Sequence, residues 1–538
     1  MKGVTKISAL FLTAAVCFSL ISFEKDKPAK KHQGAFHNNE LSLAVDSRKL
    51  EANNISAWFR TNGSFNRDPS TGNSGFEWTK GSSRFARYAS GFWIGAVTGG
   101  DTLVSVAEYN YEYLPGYVDN NGNPQGKDDP NYRIYNISST DSSDYQNWRT
   151  IASGQGAYLD SAGNPYLMGA QTMFYSHTDG YPESHGNSAG GTAPLKAQIL
   201  QTNWSYNSSA LRDVIFSEFR VINRSSLPWN NAYLCIWTDD DLGSGGDDAV
   251  GCDSTTDLVY TYNFSSSDPT YGAIPPAVGT RILRSPIRQT GNMSDTVKYY
   301  SPPGSQNLVV KVGYKYTGTS SFNTYINGDP TTGDPNNYRE TYRNLQGLKR
   351  DGSSWINPIT SNATKFPFSG NPESGTGWIM TNGNDRRSMQ SFGPVTMQPG
   401  DTQSIIVAQM IARNVNNLQS VQALKNLSNY VKNFYDNNLI VSVQNISAEV
   451  PESFSLSQNY PNPFNPTTKI NYKLKVAGYT RLIVYDVLGH EMSTLVNTKQ
   501  APGTYQVEFD GSNFASGVYF YKLVTDDFTD VKRMMLLK

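Results

Sequence analysis

The chain has 538 residues and a formal net charge of −1. That length suits two or three domains, and that charge supplies no global field for nucleic acid or an anionic membrane. Hydrophobic residues make up only 38%, while 33 Tyr, 46 Gly and an aromatic share of 12% are generous; Tyr and Trp suit half-buried strand faces and Gly suits turns, so the composition describes an all-β, loop-rich protein and excludes a disordered one.

The N-terminus sets Lys2 and Lys6 before an apolar run over 7–23, ISALFLTAAVCFSLISF. A basic start, a short apolar core and small residues at Ala14, Ala15, Ser19 and Ser22 describe a cleavable signal peptide over 1–22. The run sits at the lower limit for spanning a bilayer, and no later stretch is apolar enough to act as a transmembrane anchor. A polar leader is expected over 23–45. From there to about residue 412, alternation and turn punctuation predict strands at 91–97, 102–113, 195–206, 213–223, 232–237, 258–264, 307–316 and 404–412. Long polar loops are expected at 119–150, 177–194 and 317–345. One helix is predicted over 417–437, with Leu418, Val421, Leu424, Leu427, Val431 and Phe434 on one face and Asn416 or Asn417 as its cap. A linker reads over 441–456.

The tail, 457–538, changes character. Pro461, Pro463 and Pro466 force an extended start, and short strand runs closed by Gly or Asp turns then repeat to the end, as in a small Ig-like β-sandwich. The run Tyr460-Pro461-Asn462-Pro463-Phe464-Asn465-Pro466, the turn at Gly489 in YDVLG, Gly503-Thr504-Tyr505, Gly517 in SGVY and the terminal Lys538 occur in the order found in one family. The segment resembles the type A C-terminal sorting domain of type IX secretion cargo. That resemblance implies Sec export, recognition by the outer-membrane translocon, removal of the tail, and attachment at the surface or release. The segments GFWIGAV (91–97), WTDDDLGSGGDDAVGCD (237–253), FSGNPESGTGW (368–378) and DRRSMQSFGPVTMQPGDTQSIIVAQ (385–409) also resemble secreted proteins of Bacteroidetes-related bacteria. This implies a shared fold and adds no activity.

The densest chemical constellation is Asp239, Asp240, Asp241, Asp247, Asp248, Asp253 and Asp257, in a stretch from Ser225 to Thr280 that holds no Lys or Arg. Crowded carboxylates repel unless a cation or solvent intervenes, and the interposed glycines let the backbone wrap a centre. Ca²⁺ takes six to eight oxygens on a flexible frame, so Ca²⁺ is the expected cofactor and a solvated acidic loop the alternative. In an oxidising compartment Cys235 and Cys252 are expected to form a disulfide across the same loop, worth about 3 kcal/mol. His177 and His185, with Asp179 and Glu183, are a weaker Zn²⁺ candidate because a Gly/Ser loop does not fix ligand geometry. Gly186-Asn187-Ser188-Ala189-Gly190 matches a nucleophile-elbow pattern but lacks the strand and helix that pattern needs. Asp385-Arg386-Arg387 reads as a bidentate structural ion pair, with anion binding the alternative. Trp58, Trp78, Trp93, Trp148, Tyr158 and Trp378 are available for stacking on sugars, although most belong in a core.

The expected architecture is therefore all-β: a β-sandwich-type module with one amphipathic helix over 46–440, built as one sandwich or two packed together, then the Ig-like domain at 457–538. The expected function is that of a secreted, non-enzymatic surface or extracellular protein for adhesion, matrix or filament assembly, or glycan binding. A secreted polysaccharide hydrolase is the alternative. Its expected partners are the type IX translocon and either a glycan or further copies of itself, with no role for nucleic acid.

Overall fold

The computed structural model describes residues 45–538 apart from 139–140, 208–209, 306, 327, 439–443, 448–450, 501 and 512–513. The signal peptide and all but the end of the leader lie outside the described residues. Two large antiparallel sheets dominate. In the first, of ten strands, the order runs Ser321–Ile326, Arg386–Met397, Trp229–Asp239, Ala89–Thr98, Ser64–Phe65, Ile55–Arg60, Phe76–Trp78 and Phe85–Arg87, with Ser47–Leu50 and Asp101–Ser105 paired off this path. In the second, of nine, it runs Tyr135–Ser138, Gln171–Thr178, Ala197–Ser205, Val214–Asn223, Thr402–Ala412, Ala277–Arg284, Leu258–Asn263 and Asp248–Asp253, with Leu114–Pro115 paired to Gln171–Thr178.

The strand period of two decides what each face meets. Along Trp229–Asp239, Leu234 and Ile236 belong to the core shared with the second sheet, and Cys235 and Trp237 belong to a separate cluster on the opposite face. The shared core joins Phe65, Phe92, Ile94 and Phe392 of the first sheet to Ile199, Phe219, Val278 and Val407 of the second. Phe92 stacks on Phe219 with centroids 4.7 Å apart. Both outer faces are covered too. The helix Tyr338–Leu345 brings Leu345 to the first sheet, its start capped by the Asn337 side chain accepting from the amides of Arg339 and Glu340.

The helix Asn417–Asn438 lies on the second sheet, where Val421, Leu424 and Val431 are buried. Asn416 is its cap, accepting from the Gln419 amide at 2.8 Å, while Asn417 turns to the Asn263 carbonyl at 2.9 Å. Close approach is possible because the sheet offers Gly279 there: a Cβ at that position would sit 3.0 Å from Leu424 Cδ2.

The tail forms two four-stranded sheets around their own core of Ile470, Tyr472, Leu482, Val507 and Tyr521. Two strands fall inside the stretch read as linker: Gln444–Ser447 pairs with Gly503–Asp510, and Ser455–Leu456 pairs with Thr467–Leu474. None of the described helices is long and apolar enough to cross a membrane.

Leu424→Ala removes a fully buried side chain whose site cannot close, since helix and sheet are each held by other contacts. The expected cost is about 2–5 kcal/mol in urea unfolding. Asn426→Ala, on the exposed side of the same helix, is expected to stay within about 0.5 kcal/mol.

Candidate functional site

The acidic stretch begins where Trp229–Asp239 leaves the sandwich, and the alternation of faces sends its first two carboxylates in opposite directions. Asp240 turns between the sheets. It lies 3.2 Å from Arg87 Nε and accepts from the Thr261 hydroxyl at 2.7 Å. Arg87 in turn donates to Thr280 Oγ1 at 2.9 Å. Asp239 turns to the outer face, where it lies 3.4 Å from Arg387 Nε and accepts from the Tyr109 hydroxyl at 2.6 Å. Burial pushes both carboxyls up and the facing arginine pulls each back. Asp385, at the start of the arginine's own strand, pairs with Arg387 Nη1 at 3.0 Å. Asp239, Asp241 and Asp385 bring carboxylate oxygens within 4.8 Å of one another.

The other aspartates serve local structure. Asp253 accepts from the Thr255 amide and hydroxyl, and Asp257 accepts from the Thr319 amide at 2.9 Å. Asp247 accepts from the Asn263 amide nitrogen at 2.9 Å. Asp248 is fully buried; its Oδ2 accepts from the Leu242 amide at 3.2 Å, and its Oδ1 has no hydrogen-bond donor. Burial, ahead of the neighbouring Asp241, Asp240 and Asp247, pushes its carboxyl well up.

The expected disulfide does not form. Cys235 and Cys252 are both free and buried. Cys235 faces the outer cluster of the first sheet, while Cys252 belongs to the second sheet and donates to the Pro367 carbonyl at 3.5 Å. Strands in two different sheets separate thiols that are close in sequence.

The histidines do not converge either. His177 lies in Gln171–Thr178 with neither ring nitrogen partnered, edge-on to Tyr113 at 5.5 Å, and burial holds its imidazole down at about 3. His185 sits 2.8 Å from the Asp179 carbonyl through Nε2 and 3.8 Å from Glu112 Oε2 through Nδ1. Glu183 pairs instead with Lys127 at 2.6 Å. Asp179 accepts from the amides of Leu195 and Ala197, and Glu112 from those of Val106 and Gly191. These buried carboxylates pin the loop after Thr178 to the first sheet. Burial, against the pull of His185, lifts Glu112 to about 7.

Sequence reasoning missed a cleft of about 250 Å³ on the outer face of the second sheet. Its floor is Glu218 and Arg220 of Val214–Asn223, Ser404 of Thr402–Ala412, and Arg284 of Ala277–Arg284. Its wall is the excursion over 285–317, which contributes Tyr299, Ser301, Lys311 and Tyr316. Arg284 donates through Nη2 to Glu218 and, at 2.6 Å, to Ser404, and its guanidinium lies 4.8 Å from the Tyr299 ring centre. Glu218 also accepts from Ser404 at 2.8 Å and from Tyr158 at 3.0 Å. Arg220 lies 4.2 Å from the Tyr158 ring centre and donates to the Gly156 carbonyl at 2.6 Å. One signal was present: in DVIFSEFRVIN, two charges alternate with apolar residues in mid-strand, which places both on one covered face. Among the aromatics, Trp93 and Trp148 are core residues, whereas Tyr158 stands beside the cleft.

Residues 458–537 match the model of a family described as the secretion system C-terminal sorting domain. The protein is thus type IX secretion cargo, exported to the cell surface or the extracellular space. No curated protein matches the chain. A polysaccharide lyase of known structure aligns at 8% identity over 83% of this chain with a TM-score of 0.23, a likeness too slight to carry an argument. The chain spans 39% of that enzyme's length.

The Glu112 carboxyl titrates near 7 when folded and near 4.5 otherwise, so between those values the folded state holds the extra proton. Stability therefore falls as pH rises through this window. Compared with the parent protein, Glu112→Gln is expected to gain roughly 3 kcal/mol on going from pH 5 to pH 8, whatever fixed cost its altered hydrogen bonding brings. Urea unfolding of both proteins at the two pH values measures the difference.

Proposed function

We propose that the exported module over 46–440 is a non-enzymatic binding protein of the cell surface or extracellular space, and that the cleft floored by Glu218, Arg220, Arg284 and Ser404 holds a glycan. The division into this module and the tail, and the loss of residues 1–22 and of the sorting domain on the way out, belong to the same reading. The observation that carries it is how the charged floor is used. Glu218 accepts from Arg284, Ser404 and Tyr158 together, a saturated carboxylate suited to fixing geometry and poorly suited to moving a proton. Around it, hydroxyls and the rings of Tyr299 and Tyr316 offer the hydrogen bonds and flat apolar faces that sugars take. A second reading, a polysaccharide hydrolase, draws on Asp401, the other carboxylate on the cleft.

Ca²⁺ is the proposed cofactor of the acidic end of the sandwich, held by Asp239, Asp241 and Asp385. Carboxylate oxygens of the three lie within 4.8 Å of one another, and two of the three, Asp239 and Asp385, also face Arg387. Support comes from Asp239 Oδ1, a buried oxygen that accepts no hydrogen bond and has Arg387 Nε at 3.4 Å beside it; a hard cation satisfies such an atom.

Incubation of the secreted protein with soluble and insoluble polysaccharides is expected to give retention without new reducing ends; release of reducing ends would establish the hydrolase reading instead. Calcium at about 100 times its dissociation constant is expected to add about 2.7 kcal/mol to stability. Asp241→Asn combined with Asp385→Asn is expected to abolish that gain in thermal melts with and without chelator. An unchanged parental midpoint after chelation removes Ca²⁺ from the account.

A further inference from the structure

The cleft carries more cations than its carboxylates use. Of its lining charges, Arg284 is spent on Glu218, and Asp401 accepts from the Gln398 amide at 2.7 Å as a turn cap. Arg220 and Lys311 remain. Among the described residues neither makes an ion pair: Arg220 rests on Tyr158 and a backbone carbonyl, and Lys311 lies 5.7 Å from the Tyr314 ring centre. The Nε atoms of Arg220 and Arg284 are buried without an acceptor. Placing unpaired cations in a recess beside apolar rings costs desolvation that open surface would not, and the field they project is strongest where water is thinned. The two line the same cleft from different elements, Arg220 from the sheet and Lys311 from the strand Leu308–Val312 of the wall.

We infer that the cleft selects a negatively charged sugar, with Arg220 and Lys311 reading its carboxylate or sulfate group. The inference rests on the glycan reading of the same cleft and adds the ligand's charge. A planar guanidinium pairs with a carboxylate through two parallel hydrogen bonds, while an ammonium acts as a point charge on either anion. At about 250 Å³ the space lies just below the usual range for small-molecule sites, about 300–1,000 Å³. It therefore grips one residue or one end of a chain and leaves the rest of the polymer outside.

The test is the affinity of the intact secreted protein for polygalacturonate, dextran sulfate and neutral dextran, at low and high salt. Polygalacturonate is expected to bind and neutral dextran to be released, with affinity falling as salt rises. Dextran sulfate distinguishes a reader of carboxylates from a reader of any anionic sugar, and binding to either polyanion supports the inference. Arg220→Met and Lys311→Met are each expected to weaken binding about tenfold or more. Lys298→Met, an exposed lysine on the paired strand of the same hairpin, is expected to leave binding unchanged. Should Arg220→Met fail to fold, Lys311→Met, on a partly exposed strand, decides the matter. Equal binding of neutral dextran, or a loss in Lys298→Met matching that in Lys311→Met, would overturn charge selection while leaving glycan binding intact. Binding of none of the three polymers would overturn both.

Discussion

The structure depends on a pair of arginines that reach one end of the sandwich from far along the chain. Trp229–Asp239 is flanked on both sides by long strands and carries core on both faces, so its last residues cannot simply open into water. Asp239 and Asp240 are 2% and 3% exposed, and a buried carboxylate without a counter-charge is among the most expensive groups a protein can hold. Arg387 meets the first from the neighbouring strand, on the outer face. Arg87 meets the second from the far edge of the same sheet, between the layers. Because Arg87 also bonds Thr280 of the second sheet, the Asp240 pair ties the two layers together where the apolar core gives out. The acidic loop beyond can then use its remaining carboxylates for turns and for the cluster of Asp241 and Asp385 with Asp239.

This arrangement explains what could be read from the sequence and what could not. Strands with strong alternation, such as Ala89–Thr98, Val214–Asn223 and Thr402–Ala412, were legible, as was the helix Asn417–Asn438 down to its apolar face. Gln171–Thr178, Ser321–Ile326 and Arg386–Met397 were not. Their sequences, QTMFYSHT, SFNTYI and RRSMQSFGPVTM, mix polar residues into positions that are nonetheless buried, because helices and loops cover the outer faces of both sheets and hydrogen-bond what they cover. The strand 307–316 was legible as one run, but Gly313 at φ 84° breaks it into two strands that pair with different partners. The helix Tyr338–Leu345 hid inside a stretch whose polarity suggested only loop.

The candidate sites divide in the same way. The acidic residues were visible as a local run of charge, but local charge shows only half of an ion pair. The absence of Lys and Arg between Ser225 and Thr280 concealed that the counter-ions come from positions 87 and 387. The same blindness produced the disulfide, since seventeen or so residues of separation say nothing about which sheet each thiol enters. Asp385 joined the cluster through strand pairing alone. The cleft was less legible still, being made by three strands distant in sequence and a wall from the excursion that follows Arg284. Delivery was the clearest message, for the sorting tail is marked by a contiguous run of short motifs.

A division of labour follows: the tail addresses the protein, and the sandwich presents a charged recess whose shape rests on how buried charges are matched. A double-mutant cycle on Arg87 and Asp240, with Met and Asn as replacements and chemical denaturation as readout, tests that matching at its base. Each single change is expected to cost about 3–5 kcal/mol, because it leaves the partner charge buried and alone, and the double variant is expected to recover much of that loss. Penalties that simply add in the double variant would contradict the account, showing that the two groups are independently satisfied and that the pair does not hold the layers together.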